Sequence, residues 1–165
     1  MTITILVSIT SNGPVLYWSK RVGRDETIFS MPKFRTMRID TPEVATHLLK
    51  ESGSYLTPVG SFLRKTSLDE IPQLLSIFRG QMSFVGPRPA LFNQDDLIEL
   101  RREYGLSGLT PGLTGWAQVN GRDEIPVTHK VKLEAEYAHK QSFLFDLIII
   151  LKTVRKVFGD QSVSH

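Results

Sequence analysis

Two adjacent carboxylates, Asp69 and Glu70, are the residues of this sequence best suited to chemistry, in the stretch KTSLDEIPQLLSIFRGQMSFVGPRP. Successive residues of an α-helix point about 100° apart, so the pair cannot act as a facing acid and base on a regular helix. Ser67 and Glu70 match the capping box S-x-x-E, which predicts a structural role. Pro72 argues against that role, because proline is tolerated at the first helical position but not in the interior. The spacing alone favours capping and leaves catalysis open.

A second candidate is Arg88, which the sequence VGPRP places between two prolines. The prolines restrict the backbone on both sides of the arginine. A guanidinium held this rigidly suits an oxyanion such as phosphate, which it can bind bidentately. The alternative is a solvated arginine on a surface turn.

Two further stretches carry polar groups that suit an anionic ligand. In MPKFRTMR a strand would place Lys33 and Arg35 on one face and Phe34 on the other. Basic residues beside an aromatic also occur in single-strand nucleic-acid binders, but only Phe34 is available here to stack.

The stretch GLTPGLTGWAQVNGR is rich in glycine, which lets a backbone approach a ligand closely. It is neither a dinucleotide fingerprint nor a P-loop, since it lacks the strand–glycine–helix order and any G-K-[ST]. Trp116, Gln118, Asn120 and Arg122 are candidates to contact a base or a phosphate. The alternative is a loop packed on the core through Trp116.

Length and composition indicate one domain of 165 residues with 41% apolar and 22% charged residues. The absence of cysteine excludes a disulfide framework, a thiolate nucleophile and a cysteine-based zinc site. The net charge of +3 is compatible with phosphates, nucleic acid or a membrane surface and selects none of them. The sequence contains no run of about 20 apolar residues, so it predicts no membrane-spanning helix. The opening MTITILVSIT alternates like a strand, with a helix end as the alternative.

The elements that must position these residues are mostly helical. VLYWSK and TIFSM predict a hairpin around a turn with Gly23 and Asp25. Asn93 is a candidate cap for one helix, whose early acids Asp95 and Asp96 suit a helix N-terminus. Helices are predicted for PEVATHLLKES, VGSFLRK, IPQLLSIFRG, QDDLIELRREYG, HKVKLEAEYAHKQ and SFLFDLIIILKTVRKVFG, and GLSGLTPGLTGWAQVNGR is predicted to be irregular. The predicted fold is α+β: a mostly helical single domain over residues 1–165, with a small antiparallel β-hairpin and irregular Gly/Pro-rich loops.

Six segments in this order resemble the catalytic domain of the bacterial sugar transferases, the monotopic phosphoglycosyl transferases. They are GPVLYWSKRVGR, PKFRTM, SLDEIPQL, MSFVGPRP, PGLTGWAQVNGR and SFLFDL. The resemblance implies transfer of a phospho-sugar from a UDP-sugar to polyprenyl (undecaprenyl) phosphate, with release of UMP. Such a reaction initiates the assembly of surface polysaccharides or glycoconjugates.

The same resemblance implies roles for individual residues. Asp69 would be the nucleophile that forms a covalent phosphosugar–aspartyl intermediate, and Glu70, together with Asp69, would hold Mg²⁺. A hard cation relieves the repulsion between a carboxylate and a diphosphate, which agrees with a nucleophilic acid beside an acid that binds the metal. Asp146 matches an acid of the family's C-terminal helix, with either a functional or a structural role. The substrate-binding residues implied are Lys33, Arg35, Arg88 and Arg122.

The family carries a re-entrant membrane helix just before the region where this chain begins. We expect that segment to be absent here, through truncation or in a short natural form, so that the chain alone is soluble. Peripheral or monotopic contact with the cytoplasmic face of the bacterial inner membrane is then expected from the helix over residues 143–158, with its cations Lys152, Arg155 and Lys156.

Two other functions compete with the enzyme. One is a non-catalytic module that binds a sugar nucleotide or a partner subunit. The other, least favoured, is a nucleic-acid binder suggested by the basic N-terminal third, and we expect no nucleic-acid binding.

Overall fold

The computed structural model describes residues 2–42, 52–121 and 125–159. The chain divides into two units, residues 1–20 with 30–76 and residues 21–29 with 77–165. The predicted α+β class, mostly helical with a small antiparallel sheet, is confirmed. In chain order the elements are α1 (Thr2–Thr10), β1 (Leu16–Val22), β2 (Ile28–Phe34), α2 (Gly60–Lys65), a 3₁₀ turn (Leu68–Gln73), α3 (Leu74–Phe78), β3 (Ser83–Val85), α4 (Asp95–Glu103), β4 (Gly112–Thr114), α5 (Trp116–Asn120), α6 (Val127–Lys140) and α7 (Phe143–Gly159).

The predicted hairpin is confirmed, with β1 paired to β2. The backbone N–H of Gly23 donates to the carbonyl of Thr27 at 2.7 Å and closes the connection. Asp25 adopts a left-handed conformation with φ of 52°, which its short polar side chain tolerates better than most. The turn chemistry assigned to Gly23 and Asp25 is therefore observed.

The strand predicted for the first ten residues is wrong, because residues 2–10 form the helix α1. A strand would send Ile5, Val7 and Ile9 to one face. Instead Val7 is fully buried while Ile9 is 78% exposed. A helix satisfies its backbone hydrogen bonds within the segment, whereas a strand needs a neighbour with which to pair. The helix predicted for PEVATHLLKES falls almost entirely on residues 43–51, outside the described residues.

In the second unit, β3 and β4 form a parallel pair with Ser83 opposite Gly112 and Val85 opposite Thr114. The sequence predicted an irregular connection here, and β4 and α5 were missed. The strands run three residues each and β4 begins with glycine, so periodicity and propensity carry little signal. The pairing depends on close backbone approach, since a Cβ on Gly86 would overlap the carbonyl oxygen of Thr110.

Helices α4, α6 and α7 supply the core of this unit. One buried cluster joins Ala90, Leu97, Leu106 and Val131, and another joins Val85, Tyr137 and Ile149. Helix α4 has Gln94 at its N-cap position without a side-chain cap bond, so the cap predicted for Asn93 is wrong. The predicted acids, Asp95 and Asp96, do lie in its first turn, where they complement the helix dipole.

Tyr137 and Asp146 link α6 to α7. The Tyr137 hydroxyl, on a residue only 2% exposed, donates to Asp146 Oδ1 at 2.9 Å. Burial, aided by the hydrogen bond to Asp146, raises the pKa of Tyr137 well above its ordinary value. This contact gives Asp146 a structural role, one of the two that the sequence left open.

The raised pKa predicts how stability depends on alkaline pH. Above about pH 10 the unfolded chain releases the tyrosine proton while folded Tyr137 keeps it, so the free energy of unfolding falls as pH rises. We expect Tyr137→Phe to make this decline shallower by up to about 1.4 kcal/mol per pH unit. Urea unfolding at several pH values between 9 and 11.5 measures the slope. Tyr104→Phe, at a residue that is 45% exposed, is the matched control. Equal slopes in the two variants would contradict the prediction.

Candidate active site

Asp69 and Glu70 lie in the 3₁₀ turn Leu68–Gln73, which we call the carboxylate turn. Ser67 precedes it with a left-handed φ of 55° and makes no side-chain cap hydrogen bond. The capping box favoured by the spacing is therefore wrong, because Ser67 redirects the chain instead of capping it. Pro72 lies inside the turn, and the regular helix α3 begins only at Leu74. As expected from Pro72, no regular α-helix runs from Ser67, and Asp69 and Glu70 lie before the start of α3.

Contacts with Thr36, two residues after the end of β2, fix the segment that leads into the carboxylate turn. Thr57 N donates to the carbonyl of Thr36 at 2.9 Å, and Arg64 Nε donates to Thr36 Oγ1 at 3.0 Å. Gly60 lies so close to the Thr36 carbonyl that a Cβ would overlap it. These contacts hold α2 against residue 36, and α2 leads through Ser67 into the carboxylate turn.

The two carboxylates have different surroundings. Asp69 is 7% exposed. Glu70 Oε1 accepts a hydrogen bond from Lys33 Nζ at 2.7 Å, and the side chains of this ion pair are only 15% and 17% exposed. Successive residues of a 3₁₀ turn point about 120° apart, since three residues complete a turn. The pair therefore does not need to face one point, and each acid can perform a different task.

Burial around the carboxylate turn is inverted relative to an ordinary amphipathic helix. The polar residues Gln73 and Ser76 are 2% and 1% exposed, whereas Leu74 and Leu75 are more than 40% exposed. Among the described residues, Gln73 Nε2 and Ser76 Oγ are buried without a hydrogen-bond partner. An unpaired buried donor is costly unless a ligand satisfies it. Neither residue was named from the sequence, in which IPQLLSIFRG predicts only a helix.

The donor set of the carboxylate turn fits a magnesium ion. Mg²⁺ takes oxygen ligands and usually uses one or two carboxylates together with substrate phosphates and water. Asp69 and Glu70 supply two such groups, and Lys33 occupies one oxygen of Glu70. Over residues 2–42, 52–121 and 125–159 no cluster of three or more acids and histidines forms a self-sufficient metal cage. Substrate phosphates would therefore have to complete the coordination.

The other predicted substrate ligands differ in where they lie. Arg35 follows β2, and its Nε donates to the carbonyl of Pro14 at 2.8 Å. Lys33 is thus hydrogen-bonded to Glu70, whereas Arg35 Nε is hydrogen-bonded to a backbone carbonyl. Arg122 lies outside the described residues. Arg88 belongs to the second unit.

Arg88 is the exception in a buried segment. Residues 85–87 and 89–90 are buried, and Arg88 alone among residues 85–90 is half-buried. Arg88 is thus the least buried residue of this segment. Its rigid presentation to an oxyanion stays a prediction.

The glycine-rich stretch has a clear structural role. Gly112 and Gly115 lie against the backbone of Gly86, where a Cβ on either would overlap Gly86 atoms. The rings of Trp116 and Phe145 pack with their centres 4.9 Å apart and their planes tilted by 51°, and Trp116 Nε1 donates to Glu136 Oε2 at 2.9 Å. The alternative in which Trp116 packs this loop on the core is therefore correct.

Comparisons with known proteins show which chains this sequence resembles. The family described as "Bacterial sugar transferase" matches residues 1–160. The exopolysaccharide production protein ExoY of Sinorhizobium fredii is 36% identical over 92% of this chain and 74% of its own length. The UDP-glucose:undecaprenyl-phosphate glucose-1-phosphate transferase of Escherichia coli is 37% identical over 97% of this chain, which spans only 36% of that enzyme. The undecaprenyl-phosphate galactose phosphotransferase of Salmonella typhimurium is 34% identical, over 88% of this chain and 33% of its own length.

The Lys33–Glu70 contact predicts coupled effects on stability. Lys33→Met leaves a carboxylate in a largely buried position, so we expect the free energy of unfolding to fall by about 1–3 kcal/mol. Glu70→Gln alone should also destabilise, since it leaves Lys33 without its ionised partner. The double variant should lose less than the sum of the two single variants.

Denaturant unfolding of all four proteins measures this coupling. The pair Arg38–Asp40, whose side chains are 61% and 60% exposed, supplies a surface control with an expected coupling of less than about 1 kcal/mol. Strictly additive losses at Lys33 and Glu70 would show that the contact does not stabilise the fold.

Proposed function

This chain belongs to the bacterial sugar transferase family, and from this premise we propose that it transfers a phospho-sugar from a UDP-sugar to a polyprenyl phosphate and releases UMP. The names of the Escherichia coli and Salmonella typhimurium relatives support this reaction, since each names undecaprenyl phosphate and the transfer of a sugar phosphate. One names glucose and the other galactose, so the proposal extends to the reaction and the acceptor class and leaves the sugar open.

The observation that carries the proposal is the carboxylate turn. It presents one buried carboxylate, Asp69, beside a second, Glu70, whose charge is held by Lys33. A pair of equivalent surface acids would repel an anionic diphosphate. A buried carboxylate next to a partly neutralised one suits nucleophilic attack combined with metal binding.

In the first half of the proposed reaction, a carboxylate oxygen of Asp69 attacks the phosphorus that bears the sugar. A bond forms between that oxygen and the phosphorus. The bond from the phosphorus to the UMP oxygen breaks, and its electron pair leaves with UMP. The product is a phosphosugar ester of Asp69.

In the second half, an oxygen of the polyprenyl phosphate attacks the same phosphorus. The bond to Asp69 breaks, its carboxylate is restored, and polyprenyl-diphosphate-sugar leaves. Covalent catalysis of this kind divides one difficult displacement into two easier ones. It also lets the two anionic substrates react in succession.

The positive groups of the chain lower the cost of these steps. Mg²⁺, held by Glu70 together with Asp69, would neutralise the diphosphate when bound. Lys33 orients Glu70 through its 2.7 Å hydrogen bond. We assign the substrate phosphates to Arg88, with Arg35 and Arg122 as further ligands.

We further propose that α7 contacts the cytoplasmic face of the bacterial inner membrane, where the lipid acceptor lies. One face of α7 is buried through Ile149, which is fully buried. The opposite face is apolar yet exposed, at Phe143, Leu144, Leu147, Ile148, Leu151 and Val154. An exposed apolar stripe of this size marks an interaction surface. No helix among the described residues is long and apolar enough to cross a bilayer.

The cations expected to assist this contact are partly engaged elsewhere. Lys152 Nζ lies 4.4 Å from the centre of the Trp116 ring, and Lys156 Nζ donates to the carbonyl of Gln118 at 3.0 Å. Arg155 is exposed. The proposed membrane contact of α7 is therefore mainly hydrophobic, and its dependence on salt should be weak.

Replacement of the nucleophile tests the reaction. We expect Asp69→Asn to lower UMP release from the correct UDP-sugar by at least about 10³-fold and to abolish the covalent adduct, because an amide oxygen is a poor nucleophile. UMP release with polyprenyl phosphate in lipid vesicles and intact-protein mass spectrometry measure the two effects. Asp96→Asn, at an exposed acid of α4, is the control.

The outcomes of that experiment distinguish the transferase from the non-catalytic binding module. Turnover of Asp69→Asn at the wild-type rate would exclude Asp69 as the nucleophile. Binding of UDP-sugar without UMP release or an adduct in the wild type would favour the non-catalytic module. Chelation of Mg²⁺ should prevent both UMP release and adduct formation, and added Mg²⁺ should restore them.

Polar substitutions on α7 test the membrane contact. We expect Leu147→Gln combined with Leu151→Gln to weaken binding to phosphatidylglycerol–phosphatidylethanolamine vesicles at least about 10-fold, since each buried leucine contributes about 1.5–3 kcal/mol. Vesicle cosedimentation measures the binding. Ile28→Gln, at a residue of β2 that is 58% exposed, is the control. Unchanged vesicle binding, or a dimer of the wild type that the α7 variant dissociates, would refute the membrane assignment.

A further inference from the structure

The backbone around Arg88 is held through its carbonyl groups. Two of residues 87–90 are prolines, which have no N–H to donate, so their carbonyls are the only main-chain groups by which they can be hydrogen-bonded. All four carbonyls accept a hydrogen bond: Pro87 from Gly112 N (2.8 Å), Arg88 from Arg101 Nη2 (2.8 Å), Pro89 from Arg21 Nη1 (3.2 Å) and Ala90 from Val22 N (3.0 Å).

The donor to the Arg88 carbonyl is itself fixed by a buried acid. Arg101 on α4 binds Glu134 on α6 bidentately, from Nε to Oε2 at 2.8 Å and from Nη2 to Oε1 at 2.6 Å. The Glu134 side chain is 1% exposed and that of Arg101 is 12% exposed. A fork of two parallel hydrogen bonds fixes the plane of the guanidinium and therefore the direction of its third bond.

Stability alone is a weak reason for this arrangement. Removing two charges from water is costly, and apolar residues of similar volume often stabilise a core as well as a buried ion pair does. The surroundings are apolar, since Leu97 and Val131 belong to the same buried cluster and lie one turn before Arg101 and Glu134 on their helices. What an apolar pair would lack is the hydrogen bond to the Arg88 carbonyl.

We propose that Arg101 and Glu134 are a positioning pair that orients Arg88 toward a substrate phosphate. The proposal rests on the proposed function, in which Arg88 binds a phosphate of the UDP-sugar. Neither residue touches the substrate. They fix the backbone from which the Arg88 side chain leaves the buried segment, and so reduce the conformational freedom that this side chain loses on binding.

Affinity for UDP in the presence of Mg²⁺, measured by isothermal titration calorimetry on the full chain, tests the pair. We expect Arg101→Lys and Glu134→Gln each to weaken UDP binding about 10-fold, because either change removes the bidentate fork. In an Arg88→Met background the same substitutions should change UDP affinity by less than about twofold, since nothing remains for them to orient. A purely structural role would not produce this dependence on Arg88.

The neighbouring Arg102 provides the matched control. It lies on the same helix and binds Glu26 bidentately, at 2.9 and 2.6 Å, but on the surface. Arg102→Lys should leave UDP affinity within about twofold of the wild type. Thermal unfolding of each variant reports the folded fraction, and Glu134→Gln, which keeps the side-chain shape but replaces one acceptor oxygen with an NH2 donor, carries the test if Arg101→Lys folds poorly.

Two results would overturn the positioning pair: UDP affinity unaffected by Arg101→Lys and Glu134→Gln, or equal losses with and without Arg88. A wild type whose UDP affinity does not depend on Arg88 would overturn it as well. A wild type that binds UDP through Arg88 but releases no UMP would instead overturn the proposed transfer, and the positioning pair would stand.

Discussion

The ion pair between Lys33 and Glu70 is the contact on which the proposed chemistry depends most. It joins β2 to the carboxylate turn across 37 positions of sequence, at a place where both side chains are largely buried. Loss of one member of a largely buried ion pair is strongly destabilising, so this contact stabilises the part of the fold that it joins. The consequence is a fixed Glu70 next to Asp69, and two neighbouring acids in different electrostatic surroundings.

The backbone makes that asymmetry possible. The left-handed Ser67 and the interior Pro72 replace the first helical turn with a 3₁₀ turn, which buries Asp69 and directs Glu70 to Lys33. A left-handed non-glycine residue costs about 1–3 kcal/mol and persists only where surrounding contacts enforce it. Here the contacts of Thr36 with residues 57, 60 and 64 anchor the helix that precedes the turn.

The sequence predicted those elements whose signal is local. The hairpin follows from turn residues between alternating strands, and α4, α6 and α7 follow from periodicity over nine to seventeen residues. Among the elements of three to five residues, β3, β4 and α5 were missed because they are too short to show a period, whereas α3 fell within a longer predicted helix. The capping box at Ser67 failed for a different reason. Its pattern was present, but Pro72 and the distant Lys33 determined the local backbone and the partner of Glu70.

The residues that we propose to act divide in the same way. Asp69, Glu70, Lys33 and Arg88 were named in advance by motifs, whereas the contact between Lys33 and Glu70 required the fold. Gln73, Arg101 and Glu134 carried no motif signal in the sequence analysis, and only burial distinguishes them from ordinary helix residues. Whether a polar residue of a helix is buried depends on three-dimensional packing, and a single sequence does not show this position by position.

A largely buried ion pair lies at each of the two segments to which we assign a function, the carboxylate turn and residues 87–90. The carboxylate turn holds Glu70 against Lys33, and the segment of residues 87–90 is held by an arginine that Glu134 fixes. In each case an ion pair largely withdrawn from solvent adjoins a residue that we propose to act: Asp69 in the first unit and Arg88 in the second. Because opposite charges neutralise each other locally, each pair can be rigid without adding net charge beside an anionic substrate. Asp69 and Glu70 thus share a residue type but not an electrostatic environment, which is why two acids in sequence can have unequal roles.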